Sequence, residues 1–135
     1  MIRIVLDTNV LMSGIFWSGP PYRILQSWQK KKIKLVISPD ILEEYRRVGE
    51  IMSKKNPKID IKPIIDLIVI GSELCEAKKL NTPISKDPDD DKFIAVCLAT
   101  NCKIIVSGDR DLLEIVRYHD IVILKPTDFV NKYLL

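Results

Sequence analysis

Four carboxylates, Asp7, Glu44, Asp91 and Asp109, fall at places from which a folded chain can bring them to one cleft. Asp7 directly follows the short apolar run 2–6, and Asp109 follows the apolar run 103–106 after Ser107-Gly108. If both runs are strands of one parallel sheet, both acids project from its carboxyl edge, where ligands bind in open α/β sheets. Asp91 opens the hydrophobic stretch that leads into the second run, so its carboxylate points toward one end of the domain. Glu44 belongs to a segment in which Ile41, Leu42, Tyr45 and Val48 recur at helical spacing. At about 100° per residue, Glu44 lies roughly 90° from the centre of that stripe and Glu43 roughly 170° from it. Glu43 is therefore assigned to solvent and Glu44 to the border between core and surface. Four converging acids repel one another and raise their own pKa values unless a cation joins them. An oxygen-only donor set, without histidine or thiol, suits Mg²⁺ or Mn²⁺. Each acid also has an ordinary reading: Asp7 and Asp109 as turn residues, and Asp89, Asp90 and Asp91 as helix-capping groups that complement a helix dipole.

The elements that would position these acids can be read from the pattern. Run 2–6 is a strand ending at the turn and cap residues Asp7-Thr8-Asn9, followed by a helix around 9–13. Gly14, Gly19 and Pro20-Pro21 mark a loop, and Tyr22, Leu25 and Trp28 predict the next helix. A second strand, 34–37, leads to Ser38-Pro39, a hydroxyl cap and first-turn proline for a helix that Gly49 helps to end. Residues 63–73 read as helical, and these two helices form one helical insertion. Residues 75–83 are expected to be extended or a short strand, and 86–90 a polar loop containing Pro88. A helix from Asp90 or Asp91 through Thr100 is apolar almost all round, so it must be buried against a sheet. A strand at 103–106, a short helix near 111–116, a strand at 121–124 and a helix from Pro126 complete the chain. Strands alternating with helices predict an α/β fold: one domain, 1–135, with a central parallel sheet covered by helices on both faces.

Composition narrows the function classes. The 135 residues suit one domain that buries about two-thirds of its unfolded surface, enough for a core without disulfides or a structural metal. With 47% apolar and 29% charged residues, disorder and low-complexity structure are excluded. The apolar stretches fall far short of the ~18 residues of a bilayer span, and Asp7 cuts the opening one too short for a secretory signal. Cys75, Cys97 and Cys102 are odd in number and lack paired short spacing, against a disulfide framework or zinc site. A soluble cytoplasmic domain is expected. The net charge of +3 says little, but its division says more. Residues 1–65 hold 12 Lys and Arg against 6 Asp and Glu, whereas 66–135 hold 9 against 12. A polyanion could rest on the lysines and arginines of the first half, or these could be a solvated face; only a cation relieves the acids of the second. His119 is assigned to the surface, Cys97 to core filling, and Met12 and Phe16 to core or dimer surface.

Four motifs occur in order along the chain: Asp-Thr-Asn after the first strand, Ser-Pro-x-Ile-Leu-x-Glu-Tyr on a helix, Asp-Pro-Asp-Asp-Asp-Lys-Phe opening the buried helix, and Ser-Gly-Asp-Arg-Asp-Leu-Leu after a later strand. Together they resemble the PIN domain and, more narrowly, the VapC-like toxins of type II toxin–antitoxin pairs. The resemblance implies a metal-dependent ribonuclease with a helical pair over the active-site cleft, often a homodimer, partnered by a small antitoxin. It assigns the acids of the site to Asp7, Glu44, Asp91 and Asp109, which with Asp111 as an auxiliary acid would hold Mg²⁺ or Mn²⁺. Asp91 takes its place from the following Lys92-Phe93, although Asp87, Asp89 and Asp90 crowd the same position. Ser107 would orient the site, and Thr8 and Asn9 would hold the first acid. The implied reaction is endonucleolytic hydrolysis of RNA by a metal-activated water, leaving 5′-phosphate and 3′-hydroxyl ends. The lysines of the first half would contact phosphates, positioning RNA without choosing its sequence. Trp17, Tyr22 or Trp28 could stack a base or simply pack. The basic run from Lys30 to Lys34 is a departure that the family does not require.

Two other readings compete. An aspartyl phosphotransferase or phosphatase would need a second carboxylate two residues after Asp7, where this chain has Asn9. A catalytically inactive PIN-like module would bind RNA or protein without cutting, but the full set of acids argues against it.

Overall fold

Parallel strands need crossover connections, and here helices supply them. The structure is a computed structural model that describes residues 1–134. Strand β1 (Ile2–Leu6) passes through helices α1 (Thr8–Phe16) and α2 (Pro20–Gln29) to β2 (Ile33–Ile37). Helices α3 (Pro39–Lys55) and α4 (Ile61–Ile70) then lead to β3 (Ser72–Leu74). After an irregular segment and a 3₁₀ turn (Pro88–Asp90), α5 (Asp91–Thr100) precedes β4 (Ile104–Val106). The short α6 (Arg110–Leu113), a hairpin of β5 (Arg117–Tyr118) and β6 (Ile121–Leu124), and α7 (Pro126–Tyr133) follow. The sheet order is β3-β2-β1-β4-β6-β5, parallel except for β5. The fold is thus the expected α/β arrangement of a mostly parallel sheet flanked by helices.

Strand order reverses between β1 and β4, which lie side by side in register Val5↔Ile105 and Leu6↔Val106. That reversal opens a crevice at their carboxyl ends. The core lies on both faces of these central strands: Ile4, Val5, Leu6, Leu35, Val36, Ile37, Ile105 and Val106 are all essentially inaccessible. Helix α5 covers one face with Phe93, Ile94, Val96 and Cys97, all buried. Its last turn emerges, leaving Leu98 45% exposed, so the helix is less enclosed than its composition predicts.

Several boundaries differ from the sequence expectations for local physical reasons. Gly49 does not end α3, which continues to Lys55. A Cβ there would stand 2.5 Å from Ile61 Cγ1, so the missing side chain lets the start of α4 close onto α3. Residues 72–74 are not helical; they pair with β2 as an edge strand, Leu35↔Ser72 to Ile37↔Leu74, and the chain beyond forms no further ladder strand before the 3₁₀ turn. The Trp28 indole N–H donates to the Gly71 carbonyl oxygen at 3.1 Å, fixing the corner between α4 and that strand. Helix α6 stops at Leu113, and the antiparallel β5 was not foreseen at all.

Candidate active site

Asp7 is the residue at which β1 becomes α1. Its backbone N–H still donates to the Val106 carbonyl at 2.9 Å, as if the sheet continued, while its carbonyl accepts from Val10 and Leu11. Its side chain makes no capping hydrogen bond, so the capping alternative fails and the carboxylate is left to face the crevice. Behind it, the buried Tyr45 hydroxyl donates to the Leu6 carbonyl at 2.5 Å, pinning α3 to the end of β1.

Ser107 ties the two central strand ends together. Its hydroxyl donates to Asp7 Oδ2 at 2.7 Å and accepts from the Asp109 backbone N–H at 2.9 Å. The residue is fully buried, so neither bond competes with water. Burial raises the Asp7 pKa above its ordinary value; the Ser107 hydrogen bond opposes that shift, and the charges of Asp109 and Glu44 add to it.

Of the two adjacent acids that open α5, Asp90 lines this cleft and Asp91 the larger groove beside it. The Asp91 carboxylate is buried and accepts from the backbone N–H groups of Ser85 at 2.8 Å and Ile84 at 3.0 Å. Those amides belong to the irregular segment and lack a strand partner, so the carboxylate satisfies donors that would otherwise be orphaned. Asp90, last residue of the 3₁₀ turn, makes no capping bond and lines the cleft with Asp7, Asn9, Glu44 and Asp109. Asp90, Asp109 and Asp111 each present a carboxylate oxygen within 4.8 Å of the other two, all three residues half-buried. Burial, the contact with Asp109, and the charges of Asp109, Asp7 and Asp87 push Asp90 up to about 8. Asp109 also caps α6 through a long 3.4 Å contact from the Asp111 N–H, so its turn role and its place in the cluster coexist.

Glu44 reaches the cleft border as its helical angle predicts, while Glu43 is exposed. Both of its oxygens are engaged: Oε2 accepts from the Thr8 hydroxyl and Oε1 from Lys92 Nζ at 2.8 Å. The Thr8 hydroxyl thus holds the second acid while its backbone N–H favours the charged form of the first, Asp7, and the exposed Asn9 lines the cleft. Lys92 also reaches Asp89 at 3.2 Å. Sequence reasoning used Lys92 only as an alignment mark and missed its role as the counter-charge of Glu44; the sole hint was a lysine placed one residue into a buried helix. Helix α3 walls the cleft through Glu44, Arg47 and Val48, whereas α4 stands behind α3 and contributes no lining residue.

The lysine run lies elsewhere. Lys30, Lys31 and Lys32 immediately precede β2, at the amino edge of the parallel sheet, opposite the carboxyl edge that carries the acids. A phosphate held in the cleft would therefore lie at the other edge of the sheet from them.

A cavity of about 180 Å³ lies among these side chains. Its donors are all oxygen and arranged with more negative charge than neighbouring hydrogen bonds neutralise, which is the chemistry of a hard divalent-cation site. The residues present fit Mg²⁺ or Mn²⁺.

A family model described as PIN domain matches residues 3–111. No curated protein shows significant similarity to the chain. Among solved structures, the chain is similar to one described as the crystal structure of VapBC2 from Rickettsia felis bound to a DNA fragment from their promoter. That match has a TM-score of 0.50 and 15% sequence identity, covering 92% of this chain and 98% of the other; at such identity it speaks of the fold. With a family model that spans most of its length, covering three of the four motifs and the fourth as far as Asp111, the chain belongs to the PIN domain family.

Proposed function

We propose that this PIN domain is an endoribonuclease that hydrolyses RNA phosphodiester bonds with the help of Mg²⁺ or Mn²⁺, and that it is the toxin of a toxin–antitoxin pair. The observation that carries the reading is the gathering of Asp90, Asp109 and Asp111 within 4.8 Å, with Asp90 pushed up to about 8 by burial first and then by Asp109. Like charges held this close are a cost to the fold that a bound cation removes.

Asp90, Asp109 and Asp111 would hold the cation, with Asp7 facing them across the cleft. When bound, the ion supplies Lewis acidity toward a phosphoryl oxygen and lowers the pKa of attacking water. The chain's own part is preorganisation. Ser107 fixes the Asp7 carboxylate and the Asp109 backbone in one unit. Tyr45 locks the strand end beneath Asp7. Lys92 and Thr8 hold Glu44 at the border, where its charge adds to the field on Asp7. Asp91 acts outside the cleft, anchoring the irregular segment, so the catalytic and ligand roles expected of it pass to Asp90.

The toxin reading, with a small antitoxin partner, a homodimer and a cytoplasmic setting, follows from the motifs; similarity to a VapBC2 structure is in keeping with it. No helix among the described residues is long and apolar enough to cross a membrane. The direct test is incubation of single-stranded RNA with the protein in Mg²⁺ or Mn²⁺ and in EDTA. Metal-dependent cleavage that disappears in Asp7→Asn, with unchanged circular dichroism, is expected. Cleavage that persists in that variant would remove Asp7 from the site, and absence of any cleavage would leave the non-cutting, binding-only module as the better description.

A further inference from the structure

A nuclease cleft needs a cation for its substrate as well as one for its acids, and the lysine run lies at the far edge of the sheet. Among the described residues, Arg47 is the only cationic side chain lining the acid cleft. It lies three residues beyond Glu44 on α3, on the same helical face, and is exposed. Among the described residues, no carboxylate oxygen lies within 4.0 Å of its guanidinium, although four acids share the cleft with it. The other cations near the cleft are committed: Lys92 to Glu44 and Asp89, and Lys86 and Arg110 to Glu114. Arg47 also borders a second, larger groove of about 600 Å³, walled by α3, the start of α5 and the irregular segment around Lys78 and Lys79. It therefore stands at the joint between the two cavities.

We propose that Arg47 clamps a phosphate of the bound RNA strand where that strand passes from the larger groove into the acid cleft. The proposal rests on the nuclease reading of the cleft. An acid cleft repels a phosphodiester until a metal is in place, so an unpaired guanidinium at its mouth gives the anion its first attractive partner. The guanidinium offers a planar fork of donors that matches two phosphate oxygens at once, which an ammonium does not. It contacts backbone, not bases, so it positions the strand without selecting a sequence.

The test compares wild type, Arg47→Ala, Arg47→Lys and, as a remote exposed control, Lys58→Ala. Binding of a fluorescent single-stranded RNA is measured in Mn²⁺ across a salt series before cleavage accumulates, and cleavage is followed in the same samples. Loss of a charge-assisted phosphate contact is expected to weaken binding about tenfold in Arg47→Ala. The slope of log affinity against log salt should fall by about 1 in Arg47→Ala. Arg47→Lys should keep the salt slope and recover only part of the affinity, and Lys58→Ala should match wild type. Equal affinity and salt slope in wild type and Arg47→Ala overturn the clamp, while continued cleavage by both leaves the nuclease reading standing. Arg47-dependent binding without cleavage supports the clamp and defeats the nuclease reading. Absence of RNA binding by wild type defeats both.

Discussion

Asp90 and Asp91 are adjacent in the chain, yet their carboxylates serve different partners at the start of α5. Asp90 joins Asp109 and Asp111 in the cleft, whereas Asp91 turns to the backbone amides of Ile84 and Ser85. One acid is a strained member of a charge cluster; the other is a satisfied structural anchor. The two neighbours should respond in opposite ways to the same isosteric change.

Asp90→Asn replaces a carboxyl that the metal-free fold must keep protonated up to about 8, so at neutral pH the metal-free variant should melt above wild type and lose its response to Mn²⁺. Asp91→Asn removes a charged acceptor from two buried amides and should destabilise by about 1–3 kcal/mol while keeping the metal response. Thermal melts in EDTA and in Mn²⁺ check both; a lowered melting temperature for Asp90→Asn would return the cleft role to its neighbour.

Mn²⁺ should stabilise the wild-type fold by mass action, by about 2.7 kcal/mol when free metal exceeds Kd a hundredfold. The shift should reverse with EDTA and be absent in Asp109→Asn. Calorimetry with increasing metal measures it; an unchanged melting temperature at millimolar Mn²⁺ would deny the cleft a cation.

The raised Asp90 pKa has a definite pH signature. In the metal-free fold its carboxyl is pushed up to about 8 by burial first and then by Asp109, from an ordinary value of 3.8. The folded state thus keeps a proton that the unfolded chain has released, and stability falls as pH rises. The Asp90 contribution is fully present below about 3.8 and lost as pH passes about 8. Asp7, also raised, acts in the same direction. The stability advantage of Asp90→Asn over metal-free wild type should therefore widen as pH rises through that window. Denaturant midpoints at several pH values read it, and a constant gap would contradict the shift.

Lys92 and Glu44 are 15% and 11% exposed at their side chains, so their pair is only partly screened by water. Lys92→Met should leave Glu44 without its counter-charge and destabilise by about 1–3 kcal/mol. Glu44→Gln on the Lys92→Met background should recover part of that loss, and a double-mutant cycle measures the coupling. Additive effects of the two changes would show that the pair contributes nothing.

The sheet and most of its helices were legible because apolar runs and caps are local signals: Ser38-Pro39 does start α3, and its Ser38 hydroxyl accepts from the Ile41 N–H. The convergence of Asp7 and Asp109 was legible because both follow strands that β-sheet topology brings together. What the pattern could not resolve depends on long-range partners. Choosing Asp90 over Asp91 requires knowing that Ile84 and Ser85 offer two unpaired amides nearby. Seeing Gly49 as a close approach, not a helix end, requires knowing where Ile61 lies. Charge counts likewise carry no direction, and only the strand polarity of β2 places Lys30, Lys31 and Lys32 at its amino end, the opposite edge from the acids.

The central claim is that these distant carboxylates form one divalent-cation site. Crystals soaked in Mn²⁺ and measured at an energy sensitive to its anomalous scattering test this directly. The account predicts an anomalous peak among Asp90, Asp109 and Asp111, with Asp7 facing it and Asp91 still bound to its amides. A fully soaked crystal with no peak there, or with Mn²⁺ seated on Asp91 instead, would contradict it.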